Sequence, residues 1–112
     1  MNRARKGAQG ERDVRALLER KGYYVTRSAG SKGKADLVAS NCVTLLYVQV
    51  KTGRASLIKA AQEVRSIPAP DGSLFQVWVK RPRTNEWLVY DAQSVVLKCI
   101  MQSDKNQKAK RR

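Results

Sequence analysis

Two β-rich runs, Ala35 to Ala39 (Ala-Asp-Leu-Val-Ala) and Val43 to Lys51 (Val-Thr-Leu-Leu-Tyr-Val-Gln-Val-Lys), are separated by the turn-forming pair Ser40-Asn41. That spacing makes an antiparallel hairpin the economical reading. Both runs carry polar residues that packing alone does not ask for: Asp36 in the first, Gln49 and Lys51 in the second. Residues at i and i+2 of a strand share a face, so Gln49 and Lys51 address one site, and Asp36 joins them if the hairpin register is right.

Other elements are placed around this hairpin. Residues 10–22 hold Val14, Leu17 and Leu18 at helical spacing and end on Lys21-Gly22, which predicts an amphipathic helix with a glycine stop and Glu11 early on it. Tyr23 to Thr26 reads as a strand, with one of its two tyrosines pointing outward, and Ser28 to Lys34 as a loop of small and basic residues. Residues 55–66 form a second helix, stopped by Pro68 and Pro70. Leu74 to Val79 and Trp87 to Tyr90 form a second hairpin. Ala92 to Met101 suits helix or strand, and we expect helix. The order α-β-β-β-α-β-β implies an α/β fold, a mixed central sheet flanked by helices. Residues 1–102 make one domain, and the polar, basic residues 103–112 a disordered tail.

Charge narrows the partners. The chain has 23 Lys and Arg against 9 Asp and Glu, a net charge of +14 over 112 residues, which points to a polyanion and first of all to nucleic acid. No basic segment has the continuous apolar face of an interfacial helix, and no apolar run is long enough to span a bilayer. The N-terminal Met-Asn-Arg-Ala-Arg-Lys-Gly lacks a signal-peptide core, so a cytoplasmic protein without membrane contact is expected. Cys42 and Cys99 lack metal-site spacing and read as reduced, half-buried apolar side chains. Histidine is absent, so a catalytic metal has to be a hard cation held by oxygen.

Glu11, Asp36, Gln49 and Lys51 supply what such chemistry uses. A divalent ion on carboxylate and amide oxygens polarises a phosphodiester and acidifies a water, and a neighbouring ammonium stabilises the developing charge. Each residue also has a plainer explanation: Glu11 as an acid at a helix start, Asp36 as an edge or turn residue, Lys51 as a solvated strand end. Trp78, Trp87 and Tyr90 can serve as base-stacking platforms, but their alternating apolar surroundings favour the core. Ser28 to Lys34 suits a plain linker or a close approach to phosphate equally well.

Asp36 followed by Gln49-Val50-Lys51 resembles the PD-(D/E)xK nuclease motif. The blocks Arg5-Lys6-Gly7-Ala8-Gln9-Gly10-Glu11-Arg12, Arg27-Ser28-Ala29-Gly30-Ser31-Lys32 and Ala35-Asp36-Leu37-Val38-Ala39 are similar to the archaeal-type Holliday junction resolvases, over roughly the first half of the chain. The chain's compactness is also compatible with a phage-encoded member. The resemblance implies a restriction-endonuclease-like fold and a homodimer, with the second helix at its interface, that nicks four-way DNA junctions in symmetric pairs.

The same resemblance implies roles for single residues. Glu11, Asp36 and Gln49 hold Mg²⁺, with Mn²⁺ as a substitute and the Val50 carbonyl as a further ligand, while Lys51 assists the attacking water. Ser31 sits on a mobile loop needed for cleavage. Arg12 and Arg27 contact phosphates; beyond the resemblance, we expect Arg3, Arg5, Lys6, Lys32 and Lys34 to hold phosphates as well. Gln49 departs from the family, where glutamate is usual: its amide still offers an oxygen, with one negative charge fewer. That departure keeps two alternatives open, a silent branched-DNA-binding module on a nuclease scaffold and a nuclease for flaps or other branched DNA.

Overall fold

Gly10, Val14, Leu17 and Leu18 recur at helical spacing and are all buried, forming the inner stripe of helix α1 (Arg3–Arg20). The computed structural model describes residues 3–27, 35–52, 56–93 and 98–104, with side chains for 8–27, 35–52 and 56–93. α1 begins well before the expected start at residue 10. Arg3-Ala4-Arg5-Lys6 are good helix formers, and two glycines cost too little to break a helix anchored by its apolar stripe. It ends where Gly22 takes φ +96°, a conformation that strains other residues. The Gly22 N–H donates to the Glu19 carbonyl at 3.0 Å and the Tyr23 N–H to that of Leu18 at 3.2 Å, the paired bonds of a Schellman cap. The cap turns the chain into the sheet.

The sheet has six strands in chain order: β1 (Tyr24–Arg27), β2 (Leu37–Ser40), β3 (Leu45–Lys51), β4 (Leu74–Lys80), β5 (Glu86–Asp91) and β6 (Lys98–Asp104). All neighbours are antiparallel except β3 and β4, which run parallel and are joined through helix α2 (Leu57–Arg65). The expected hairpin is β2–β3, with Leu37 opposite Val48 and Ser40 opposite Leu45. At its turn, the Asn41 side-chain oxygen accepts from the N–H groups of Val43 and Thr44 at 2.9 and 2.8 Å. The Ser56 hydroxyl caps the start of α2, accepting from the Lys59 N–H at 3.1 Å, and the helix stops at Arg65, ahead of Pro68.

One helix covers each face of the sheet. On one side Val14, Leu17 and Leu18 of α1 pack with Val25, Leu37, Ala39, Leu46, Val48, Trp78, Trp87 and Val89. On the other, Ala60, Ala61 and Val64 of α2 pack with Ala35, Val77 and Ala92. β3 is covered on both faces, which explains why its sequence reads as a nearly continuous apolar run. The tryptophans are core residues: both are fully buried, and the Trp78 indole donates to Gln76 Oε1 at 2.9 Å. Tyr23 packs on the α1-side core and Tyr24 is exposed.

Three expectations are corrected. The helix expected over Ala92 to Met101 is absent from its described part, where residues 98–104 form β6 on the outer edge of β5. Val95, Val96 and Ile100 fit either period, and the deciding term is non-local: β5 offers an edge, and an added strand satisfies its backbone groups. β6 also includes Ser103 and Asp104, so the strand continues past the boundary drawn at residue 102; residues 105–112 lie outside the described part. Cys42 is exposed rather than half-buried, because the β2–β3 turn carries it away from both cores; the Cys99 side chain lies outside the described residues. Among the described residues no helix is long and apolar enough to cross a membrane.

Gly10 sets how closely α1 approaches the sheet. A Cβ there would collide with Thr52 Cγ2 and sit 3.4 Å from the Trp87 ring and 3.6 Å from Val50 Cγ1. Gly10→Val is expected to lower the unfolding free energy by about 1–3 kcal/mol, the usual cost of overpacking, measured by urea denaturation. Unchanged stability would mean that the helix–sheet contact tolerates a side chain.

Candidate active site

The site forms where β2 begins and β3 runs on past it. The β2–β3 ladder stops at the Leu37–Val48 pair, reinforced by the Asp36 N–H donating to the Val48 carbonyl at 2.8 Å. Backbone groups of alternate strand residues leave on the same edge, so the Val50 N–H points, as Val48's carbonyl does, toward a strand that is no longer there. Asp36 takes it: Oδ2 accepts from the Val50 N–H at 2.8 Å. A side chain thus replaces the missing strand, which fixes the carboxylate against the C-terminal end of β3. The N–H and C=O of one residue share an edge, so the Val50 carbonyl lies on this side too.

Glu11 arrives from α1. It lies one turn before Val14 along the apolar stripe, half-buried, with its side chain 22% exposed. The acid-at-helix-start explanation fails, because α1 has no acid in its first turn and Glu11 lies in mid-helix. Arg27, at the end of β1, donates from Nε to Glu11 Oε1 at 2.9 Å. Burial raises the Asp36 pKa above its ordinary 3.8; the Val50 N–H works against that, the negative charge of Glu11 adds to it, and the positive charges of Lys51 and Arg27 oppose it. Glu11, Asp36, Lys51 and Arg27 therefore lie within one electrostatic neighbourhood.

Gln49 is placed differently. It is buried, 5% exposed, and turned toward α2, where its Nε2 donates to Glu63 Oε1 at 3.4 Å, a long and weak bond. It remains next to Val50 in sequence and shares the parity of Lys51, but its described contact is with the second helix. Sequence reasoning missed Glu63. The available signal was an acid set beside the inward positions Ala60, Ala61 and Val64 of α2.

Three arginines line a cleft beside Glu11. A cavity of about 230 Å³ is bounded by Ala8, Glu11, Arg12, Arg15, Arg27 and Leu37. Arg12 is exposed and donates to Gln9 Oε1 at 2.9 Å, and Arg15, which sequence reasoning also missed, pairs with Glu19 at 3.1 Å. Its signal is helical: Arg15 follows Glu11 and Arg12 at i+4 and i+3, on the same flank. The side chains of Arg3, Arg5 and Lys6 lie outside the described residues, although their backbone belongs to α1; Ser31, Lys32 and Lys34 lie wholly outside them.

The donor set fits a hard cation. No three carboxylate, thiol or imidazole groups cluster around one point among the described residues. A cation here would draw on two carboxylates, Glu11 and Asp36, together with amide and backbone oxygens from Gln49 and Val50. That mixture suits a magnesium-like ion and is foreign to zinc.

Asp36 gives the site a pH signature. A carboxyl whose pKa is higher in the fold than in the unfolded chain binds its proton more tightly when folded. Its contribution therefore declines as pH rises from the ordinary 3.8 through the raised value, and stays low above it. With chelator present, Asp36→Asn is expected to abolish this decline and leave the variant more stable than the parent at neutral pH. Thermal unfolding across pH checks this, and a variant less stable at neutral pH contradicts it.

The family model described as archaeal Holliday junction resolvase (Hjc) matches residues 2–95. The crossover junction endodeoxyribonuclease Hjc of Methanocaldococcus jannaschii is 48% identical over 48 residues, a stretch covering 43% of this chain and 35% of that relative. The chain thus aligns with only about a third of that curated relative's length. The crystal structure of Hjc from Archaeoglobus fulgidus, described as a Holliday junction resolvase from an archaeal hyperthermophile, superposes with a TM-score of 0.62 at 29% identity. The match covers 79% of this chain and 74% of that one. With most of its length inside the family model and its sheet and helices matching a solved member, the chain belongs to the archaeal Holliday junction resolvase family.

Proposed function

We propose that this protein is a Mg²⁺-dependent endonuclease that resolves four-way DNA junctions in the cytoplasm by paired, symmetric nicks. The observation that carries the reading is the Asp36 carboxylate held by the Val50 N–H at the end of β3, with Glu11, Lys51 and Arg27 close enough to act on its charge. Family membership supports both the substrate and the homodimer, whose two-fold symmetry matches that of a junction. The net charge of +14 supports a polyanionic partner, and selection would rest on backbone shape, since no groove-reading module is present among the described elements.

Each residue has a task in this scheme. Asp36 and Glu11 supply anionic oxygens, and Gln49 and the Val50 carbonyl neutral ones. When bound, a divalent cation polarises the scissile phosphate and acidifies water at the site. Lys51 places an ammonium beside Asp36, where it orients the attacking water and offsets the charge that develops on the phosphate. Arg12, Arg15 and Arg27 line a cleft that accepts a backbone phosphate next to Glu11. Arg27 pairs with Glu11 at 2.9 Å, and its guanidinium would be available to a backbone phosphate if Glu11 held a cation. Arg3, Arg5, Lys6, Lys32 and Lys34 extend the phosphate contacts, and Ser31 is a further residue needed for cleavage.

One observation favours a second reading. Gln49 lacks the charge of a glutamate and engages Glu63, which suits a branched-DNA-binding module with little or no turnover. Labelled four-way junction, flap and linear duplex, each incubated with Mg²⁺, Mn²⁺ or EDTA, separate the possibilities. Paired nicks confined to the junction support resolution. Cutting of the flap indicates a broader branched-DNA nuclease, and binding without cutting indicates the silent module.

Asp36→Asn and Lys51→Ala are expected to abolish cutting and to keep junction affinity within about tenfold, or about 1.4 kcal/mol. Full cutting by Asp36→Asn would place the chemistry elsewhere. Replacing Arg27 with Gln is expected to reduce the slope of log affinity against log salt by about 0.9, one phosphate contact; an unchanged slope would remove Arg27 from the DNA interface.

A further inference from the structure

Position 49 of β3 carries an amide, yet a carboxylate stands beside it on the neighbouring helix. Glu63 is half-buried on the inner side of α2, between Ala60, Ala61 and Val64, which are fully buried. Its Oε1 accepts from Gln49 Nε2 at 3.4 Å. An acid at that position loses hydration, and nothing in the packing of small alanines against the sheet requires one. The helix is held at this height by the β3–α2–β4 crossover and by the Ser56 cap, so Glu63 meets the strand at the same level as the site residues.

We infer that Glu63 carries the third negative charge of the cation site, in place of the carboxylate that β3 lacks at position 49, and that it holds the Gln49 amide in its working orientation. The inference rests on the metal-site reading above. Its physical basis is twofold. First, an amide has a donating and an accepting end, and the accepting Glu63 oxygen decides which is which: the flipped amide would set its oxygen against a carboxyl oxygen. Gln49 is thereby set to offer oxygen, not N–H, to a cation. Second, a charge one hydrogen bond away from a ligand acts on the ion through a partly dehydrated medium, where screening is weak. Glu63 is a positioning residue in this account: it works through Gln49.

The test is a charge transposition read by Mn²⁺ binding to the full-length protein without DNA, by calorimetry and electron paramagnetic resonance. Glu63→Gln is expected to weaken Mn²⁺ binding by about 10- to 100-fold, the usual effect of losing a ligand's supporting partner. Adding Gln49→Glu to that variant moves the charge back to the strand and is expected to restore parental affinity. Asp71→Asn, in an exposed turn, removes an equal charge far from β3's end and is expected to leave binding unchanged.

Parental affinity in Glu63→Gln would overturn the inference. So would a double variant that binds as weakly as Glu63→Gln, since a structural glutamate is not rescued by a charge at position 49. If Glu63→Gln does not fold, the double variant decides alone: parental affinity supports the transposition and weak affinity refutes it. Failure of the site itself looks different, because Asp36→Asn would then bind Mn²⁺ as the parent does.

Discussion

A single hydrogen bond, from the Val50 N–H to the Asp36 carboxylate, organises this protein's functional end. It exists because the β2–β3 ladder ends at the Leu37–Val48 pair while β3 runs on to Lys51, which leaves β3 with backbone groups on an unpaired edge. The side chain that satisfies the N–H is thereby immobilised at a half-buried position, and burial raises its pKa against the opposing pull of that bond. The same edge presents a backbone carbonyl. On the proposed reading, fold completion and site construction are one event: the carboxylate that ends the ladder is also the one offered to a cation.

Everything else at the site depends on elements being brought to that end of the sheet. α1 can lie close only because Gly10 has no side chain to meet Thr52, and Glu11 follows it directly in sequence, so the close approach and the carboxylate arrive together. α2 reaches the opposite face because the parallel pair β3–β4 demands a crossover, and that crossover delivers Glu63 to Gln49. The result is acidic groups on both faces of one strand end, with arginines lining the cleft beside Glu11. The Glu11 charge acts unfavourably on Asp36, and Arg27, paired with Glu11 at 2.9 Å, offsets it.

The hairpin, both helices and the core were legible from sequence, because period and turn chemistry are local: Ser40-Asn41 between two β runs, Lys21-Gly22 after a helical stripe, Pro68 and Pro70 after another. The helix–sheet packing of Trp78 and Trp87 followed from their alternating neighbours. β6 was not legible, since its residues fit two periods and only the exposed edge of β5 decides between them. The start of α1 was misplaced for a similar reason. Its first turns have no apolar stripe to announce them.

The candidate site was legible in identity more than in geometry. Asp36 and Lys51 stand out as polar residues in apolar runs, and Glu11 stands in the resolvase-like block. The orientation of Gln49 toward α2 was hidden, because strand parity gives a face but not a neighbour. Glu63 stood out only as an acid beside inward positions of α2, and its partner was hidden for the same reason: it is 14 positions away and brought near by a crossover. The central claim is that Glu11, Asp36, Gln49 and Val50 form one oxygen cage. Diffraction from Mn²⁺-soaked crystals, using the anomalous signal of the metal, addresses it directly. The account predicts one peak per protomer at about 2.1 Å from an Asp36 oxygen, in contact with the Val50 carbonyl. A structure with Mn²⁺ bound elsewhere and none at Asp36 would contradict it.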